Sequence, residues 1–338
     1  TTEIYTLSLH DALPIWADRG VARVAVRALR KQGYNVIGST RRGAKGAERI
    51  REDGALPVYP DMSRAGEIRS ALQFCKADIV IHLEPQQLNG VPLVNLDWRS
   101  TAASLAAETD ALVTAAGQAG IKRLIFAGAG FAYGSQDAHL IDEATPLARE
   151  NALQRALADA EAAVLDGGVA AYALRAGFVY GSQAWATRAL HDALRMGKGV
   201  LSGAGVSSWL HEEDLAQALV KLVALELSDE EARATVYNIG GEEQATPDQF
   251  ADAFGAAVGI GTPSRVNPLL RLLRDDAVQN ALLNDAKPLK TAKVREELSW
   301  LPQFGALRAG IERTLLLWRA EGADQTPAPA STKEIVQA

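Results

Sequence analysis

The chain has 338 residues, of which 48% are hydrophobic and 22% charged, and its formal net charge is −6. This length allows one large domain or two ordinary ones, and the acidic balance argues against nucleic acid or an anionic membrane as a main partner, because both require a basic surface. The single cysteine, Cys75, excludes a disulfide framework, and no run of about 18 apolar residues occurs, so we expect a soluble protein of a reducing compartment such as the cytoplasm.

The first fifteen residues differ in origin from the rest of the chain. Residues 1–15 read TTEIYTLSLHDALPI, which is the translation of a common short-read sequencing adapter. We therefore expect this segment to be non-native, from a metagenomic or draft assembly, and we separate it from the arguments about the fold.

From residue 20 onwards, helical and strand patterns alternate. Apolar residues at helical spacing predict a first helix that ends at Gly33. Short apolar runs predict strands at residues 35–39, 56–59, 77–83, 123–127 and 170–174. Long helices are predicted at 101–119 and 148–166. Runs that are apolar on both faces are typical of parallel strands covered by helices, so the pattern predicts an α/β fold with a Rossmann-like, doubly wound parallel sheet.

Helices dominate the sequence after Gly181. The predicted helices are 184–196, 212–227, 247–258, 265–282 and 305–320, and short strands are predicted at 199–201 and 235–239. This pattern indicates a smaller, helix-rich region over the carboxyl edge of the sheet. Residues 321–338 are small, polar and proline-bearing, and we expect a disordered tail.

Six segments together resemble one known family. They are DIVIHL (78–83), GIKRLIFAGAGFAYG (120–134), LRAGFVYG (174–181), WLHEEDLAQAL (209–219), VYNIGGEEQATPDQF (236–250) and KVREELSWLPQF (293–304). In this order they resemble the extended short-chain dehydrogenase/reductase family, the NAD(P)-dependent epimerases and dehydratases. The resemblance implies a dinucleotide-binding domain at 16–180, to which 208–239 return. It also implies a region for a small-molecule substrate at 181–207 and 240–320.

The phosphate-binding turn is the poorest part of this resemblance. The family has a GxxGxxG turn, in which glycines let the backbone approach the pyrophosphate at a helix N-terminus. Here residues 16–22 read W-A-D-R-G-V-A, so Gly20 is one position off and Ala22 replaces the third glycine. The first strand itself would fall in the adapter-derived segment. A helix start that binds no ligand is the alternative.

The end of the second predicted strand bears on the choice of cofactor. Where an NAD-type member has an acid for the ribose 2′-hydroxyl, this chain has Ser39, Thr40, Arg41 and Arg42. Two arginines and two hydroxyls can bind a 2′-phosphate, so NADP is predicted, with NAD and a solvated basic turn as alternatives. The resemblance also assigns cofactor contacts to Asp61, Met62, Leu83, Ala127, Ala176, Gly177 and Phe178.

The catalytic positions of the family are replaced. Members use a Ser or Thr, a Tyr and a Lys to polarise a carbonyl and to transfer a proton. Matching the segments puts Ala129, Leu153 and Leu157 at these positions, and Glu161 secures the register. No metal-ligand spacing is present, and His82 and His211 are expected to be structural.

Two classes of function remain open. The first is an epimerase/dehydratase-like oxidoreductase with a non-standard site, for which Glu84 and Tyr133 are the candidate catalytic residues. Its apolar pocket would suit an activated alkene or a quinone, but not sugar epimerisation, which needs a base. The second is a catalytically silent NADP(H)-binding redox sensor or scaffold. A homodimer through the alanine-rich helices 101–119 and 148–166 is also expected.

Overall fold

The computed structural model describes residues 11–14, 17–83, 99–136, 140–226, 234–266 and 277–322. Its main element is a parallel sheet of seven strands in the order β3-β2-β1-β4-β5-β6-β9. The strands are β1 (Asp11–Pro14), β2 (Asn35–Ser39), β3 (Leu56–Val58), β4 (Ile79–His82), β5 (Arg123–Ala129), β6 (Ala170–Ala176) and β9 (Ala234–Ile239). The predicted Rossmann-like α/β fold is therefore confirmed.

Helices cover both faces of this sheet. They are α1 (Gly20–Lys31), α2 (Gly43–Glu52), α3 (Ala65–Cys75), α4 (Arg99–Ala119), α5 (Ala152–Leu165) and α7 (Glu212–Ala224). Helices α1 and α7 pack against each other on one face, and α4 packs between α3 and α5 on the other. Strand β5 is buried along its whole length, as a strand covered on both faces must be.

The chain after β6 also forms a second, smaller sheet with its own helices. Strands β7 (Phe178–Tyr180), β8 (Ser207–His211) and β10 (Gln244–Ala245) form a three-stranded sheet with β8 in the middle. The accompanying helices are α6 (Trp185–Arg195), α8 (Pro247–Ala257), α9 (Ala277–Asn284), α10 (Ala292–Leu298) and α11 (Leu307–Ala320). Trp209 stacks on Phe250 with ring centroids 3.9 Å apart, which joins this sheet to α8.

The first strand lies within the segment predicted to be non-native. Asp11 is in register with Asn35 of β2, and Ala12 with Ile79 of β4. Residues 11–14 thus form the central strand β1 between β2 and β4. The sequence analysis predicted that the first strand would fall in this segment.

Most predicted elements match the structure to within three residues at their ends, and three differ more strongly. The helix predicted from residue 148 begins at Ala152, because Asn151 and Gln154 cap each other reciprocally. The predicted strand 199–201 is only an isolated bridge between Val200 and Arg265. Of the helix predicted at 265–282, the described part is helical only from residue 277. The predicted tail beyond residue 322 lies outside the described residues.

Across the described ranges, none of the helices is both long and apolar enough to cross a membrane.

Candidate functional site

The strand order changes direction between β1 and β4, and ligands of doubly wound sheets bind at the carboxyl edge beside such a point. The turn from β1 into α1 lies there. Gly20 opens α1 with φ of +55°, a left-handed conformation that glycine adopts without strain. The Ala17 N–H donates to the Ser39 carbonyl at 3.0 Å, which ties the turn to β2. Gly20 therefore makes the turn, one residue later than the GxxGxxG spacing places its second glycine.

The first turn of α1 suits an anion. It contains no acidic side chain, and the N–H groups at a helix N-terminus carry the positive end of the helix dipole. Ala22 is buried in the core beneath it, in the packing role that the resemblance assigns to the third glycine.

A buried acid lies in the same turn. The Asp18 side chain is inaccessible to solvent, and neither of its carboxylate oxygens has a hydrogen-bond partner among the described residues. It forms an ion pair with Arg42, whose Nε lies 3.7 Å from Oδ2. Sequence reasoning did not single out Asp18, although an acid inside a predicted phosphate turn is the signal that could have found it.

The end of β2 brings the predicted cofactor residues together. Ser39 and Thr40 are buried, and Thr40 Oγ1 accepts the Arg42 N–H at 2.9 Å. The side chains of Arg41 and Arg42 are about half exposed. Arg41 Nη2 forms an ion pair with Oε1 of Glu108, a buried residue of α4. Each of the two arginines predicted to bind phosphate therefore faces a buried carboxylate.

The two predicted contacts after β3 have different environments. Asp61 is exposed and accepts hydrogen bonds from the Ser63 hydroxyl at 2.7 Å and the Ser63 N–H at 3.0 Å. These bonds lower the pKa of the Asp61 carboxyl. Met62 is buried in the core. Asp61 thus lies at the surface, near Arg41 at the end of β2, whereas Met62 is part of the hydrophobic core.

The remaining predicted contacts lie at the carboxyl ends of β4, β5 and β6. Leu83, Ala127 and Ala176 are fully buried. A Cβ on Gly177 would lie 2.5 Å from the Ser208 carbonyl oxygen, so glycine is required where β6 passes close to β8. Phe178 stacks on Phe131 with centroids 6.1 Å apart and belongs to an aromatic cluster of the second sheet.

Apolar side chains occupy the three family catalytic positions. Ala129 is 3% exposed, Leu153 0% and Leu157 1%. A small cavity adjoins Leu153, and its lining residues are Phe131, Gly134, Asn151, Leu153, Gln154, Ala281, Leu282, Asp285 and Ala286. The amide side chains of Asn151 and Gln154 are engaged in the cap of α5. Among the described lining residues, Asp285 is the one ionisable group.

The predicted catalytic residue Tyr133 lies in a buried polar network. Its hydroxyl donates to Asn238 Oδ1 at 2.7 Å and accepts from Arg175 Nη1 at 2.7 Å. Arg175 is held in turn by Glu161 on α5, through Nε at 3.1 Å and Nη2 at 2.6 Å. Burial raises the pKa of Tyr133 to about 12. The network favours a structural role for this tyrosine. Glu84, the other candidate, lies outside the described residues.

Within the described ranges, His, Cys, Asp and Glu side chains do not cluster in a group of three that could hold a metal ion.

Comparison with known proteins agrees with this geometry. A family model described as "NAD dependent epimerase/dehydratase family" matches residues 20–240. A 3-diazoavenalumate denitrifying reductase from a Streptomyces species is 28% identical over 303 residues, which cover 85% of this chain and 94% of the relative.

Solved structures show the same fold. UDP-glucose 4-epimerase of Thermotoga maritima, solved with UDP-glucose, has a TM-score of 0.72 at 18% identity and covers 92% of this chain and 99% of its own. The dTDP-glucose 4,6-dehydratase DesIV of Streptomyces venezuelae, solved with NAD, has a TM-score of 0.73 at 19% identity, with 93% and 98% covered. Identities this low establish the fold and leave the reaction open.

Proposed function

The chain belongs to the NAD-dependent epimerase/dehydratase family, and from that premise we propose that it is a reductase whose substrate needs no proton from the protein. One observation carries the proposal. The positions that supply a hydroxyl, a phenol and an ammonium in the resemblance hold the buried apolar residues Ala129, Leu153 and Leu157. The hydroxyl of the candidate phenol Tyr133 already donates to Asn238 and accepts from Arg175.

The residues present are compatible with a dinucleotide. The left-handed Gly20 and the N-terminus of α1 would hold the pyrophosphate, and Arg42 would compensate the buried Asp18 carboxylate in the same turn. Arg41 and Arg42 would hold the 2′-phosphate that distinguishes NADP, which is our proposed cofactor, and NAD is the alternative. When bound, such a cofactor supplies a hydride from its reduced nicotinamide.

The apolar side chains limit which reactions are possible. A methyl group and two isobutyl groups neither donate a proton nor polarise a carbonyl. Loss of general acid–base groups costs about 10²–10⁴ in rate where a proton must move. Epimerisation of a nucleotide sugar requires a base that removes a hydroxyl proton, so this site does not support it.

An electrophile that accepts hydride without protonation fits the site. The Streptomyces relative is named for a diazo compound, and an arenediazonium ion belongs to this class. The ring carbon gains hydrogen with its electron pair, the carbon–nitrogen bond breaks, and its electrons leave with neutral dinitrogen. This step neither consumes nor releases a proton. An activated alkene or a quinone is the neighbouring class, since solvent can protonate the resulting anion.

The test compares acceptors in one assay of NADPH oxidation by the full chain. We expect turnover with benzenediazonium or a quinone, and no interconversion of UDP-glucose and UDP-galactose. The triple variant A129S/L153Y/L157K should reduce turnover with benzenediazonium, because it fills the pocket with polar groups. Ordinary epimerase rates in the wild-type chain would refute the proposal. Binding of NADPH without turnover of any acceptor would favour a redox sensor or scaffold.

The expected homodimer remains a proposal. Helices α4 and α5 pack side by side within one chain, and α4 exposes small residues such as Ala103 and Ala107, which permit close approach of a second copy. Sedimentation of the full chain should show a dimer, and a monomer at high concentration would remove this proposal.

A further inference from the structure

The end of β2 carries two positive charges that are compensated locally. Arg42 lies 3.7 Å from the buried Asp18 carboxylate, and Arg41 is paired with Glu108. The exposed Asp61 lies near enough to Arg41 for the Arg41 charge to contribute to its lowered pKa. A 2′-phosphate arriving here therefore meets arginines whose charge is already shared with acids.

The Glu108 carboxylate of α4 is buried. Glu108 is 4% exposed, and its Oε2 is buried with no hydrogen-bond partner among the described residues. A buried carboxylate is costly unless a cation compensates it. Arg41 is the cation that contacts Glu108, so moving Arg41 towards another anion would leave this carboxylate with less compensation.

We propose that Glu108 is a specificity-determining residue, which competes with the 2′-phosphate of NADP for Arg41. This inference rests on the proposed dinucleotide-binding function and adds a residue of α4 to the cofactor choice. NADH has a hydroxyl at the 2′ position, which requires no cation, so Glu108 weakens NADPH binding and leaves NADH binding largely unchanged. The preference expected from Arg41 and Arg42 alone is reduced by this competition.

The experiment measures dissociation constants for NADPH, NADH and 2′,5′-ADP by calorimetric titration of the full chain. The last of these carries the 2′-phosphate without nicotinamide, so its binding does not depend on the reaction. The variants are Glu108→Gln, which removes the charge at nearly constant shape, and Asp110→Asn. Asp110 is an exposed acid two residues further along α4, so its variant controls for the change in net charge.

The expected result is selective tightening. Glu108→Gln should strengthen binding of NADPH and 2′,5′-ADP by about three- to tenfold, the range expected for one weakened ion pair. NADH binding should change by less than about twofold, and Asp110→Asn should change no ligand by more than that. In the Arg41→Ala background, Glu108→Gln should have no further effect, because the two residues act through one contact.

Several outcomes would overturn the proposal. An unchanged ratio of NADPH to NADH affinity in Glu108→Gln, or equal tightening of both, would do so. If Glu108→Gln does not fold, Glu108→Asp takes its place, because it shortens the side chain. This variant should show the same selective tightening of NADPH binding, and equal affinities for NADPH and NADH relative to wild type would also overturn the proposal. Failure of the wild-type chain to bind any of the three ligands would refute the proposed function itself, which separates the two failures.

Discussion

The Arg175 guanidinium donates through Nη1 to the Tyr133 hydroxyl at 2.7 Å, and its carbon atom lies 4.8 Å from the centre of the same ring. This pairing connects the end of β5 to β6, and the Glu161 carboxylate extends it to α5. Asn238 continues the network into β9 by accepting the Tyr133 hydroxyl proton at 2.7 Å. The candidate phenol therefore links neighbouring strands, and its one hydroxyl proton is already donated to Asn238.

Replacing Tyr133 by Phe should lower stability and preserve activity. The change leaves Arg175 Nη1 and Asn238 Oδ1 each without one buried partner, which costs about 1–3 kcal/mol. The rate of NADPH oxidation with a diazonium acceptor should stay within about twofold of the wild-type rate. Urea unfolding and steady-state kinetics on the same sample measure both quantities.

The matched control is Tyr237→Phe, which removes a hydroxyl of the residue next to Asn238 in β9 that donates to Glu297 at 2.8 Å. A fall in kcat of about a hundredfold or more for Tyr133→Phe at unchanged stability would make Tyr133 an acid–base catalyst.

The limits of the sequence analysis follow from the range of the interactions. Strands 35–39 and 123–127 could be predicted because short apolar runs between helical patterns are typical of strands that helices cover on both faces. The predicted start of α5 is four residues too early, because the reciprocal cap of Asn151 and Gln154 fixes the first helical residue at Ala152.

The charge relationships in the site were beyond sequence reasoning. Glu108 lies 67 residues from Arg41, and a carboxylate inside an alanine-rich helix resembles any solvent-facing residue until α4 is packed on the sheet. Likewise, Arg175 lies 42 residues from Tyr133, so the engagement of that hydroxyl depends on the pairing of β5 with β6.

His82 should make the protein less stable in acid. The Thr109 hydroxyl donates to the Leu105 carbonyl at 2.7 Å, so its oxygen accepts the proton on His82 Nε2 at 2.9 Å. His82 Nδ1 is buried without a hydrogen-bond partner among the described residues. Protonating it would place a charge in the core, and burial lowers the His82 pKa from 6.5 to about 3.

Between these two pKa values the unfolded state binds a proton on His82 that the native state does not bind. His82 therefore contributes to a loss of stability as the pH falls from about 6.5 to about 3. In His82→Gln, whose amide can donate to Thr109, the free energy of unfolding should depend less steeply on pH over that window. His191→Gln, on α6, serves as the control. Equal slopes in His82→Gln and wild type would contradict this account.

Arg123 should be a major source of stability for α7. Its Nη1 donates to the carbonyls of Leu222, Val223 and Leu225 at 2.7, 3.2 and 3.1 Å, and its Nη2 donates to Glu226 at 2.9 Å. Leu222 and Val223 belong to the last turn of α7, whose carbonyls the end of a helix leaves without partners, and Leu225 and Glu226 follow directly after it. Arg123→Met keeps the apolar stem and should lower the free energy of unfolding by about 2–4 kcal/mol.

Lys122→Met is the comparison for this change, because Lys122 pairs with Asp78 at the surface at 3.1 Å and should contribute less than about 1 kcal/mol. Similar losses in the two variants, measured by urea unfolding, would show that the cap of α7 contributes little.

The central claim is that hydride reaches the substrate without a proton from the protein. It is tested most directly with NADPH carrying deuterium at one of the two C4 positions, benzenediazonium as acceptor, and mass spectrometry of the benzene produced. The account predicts one deuterium in the product from only one of the two labelled stereoisomers, and the same rate in H₂O and D₂O. Equal transfer from both stereoisomers, as in a reaction without protein, or a rate that falls several-fold in D₂O, would contradict it.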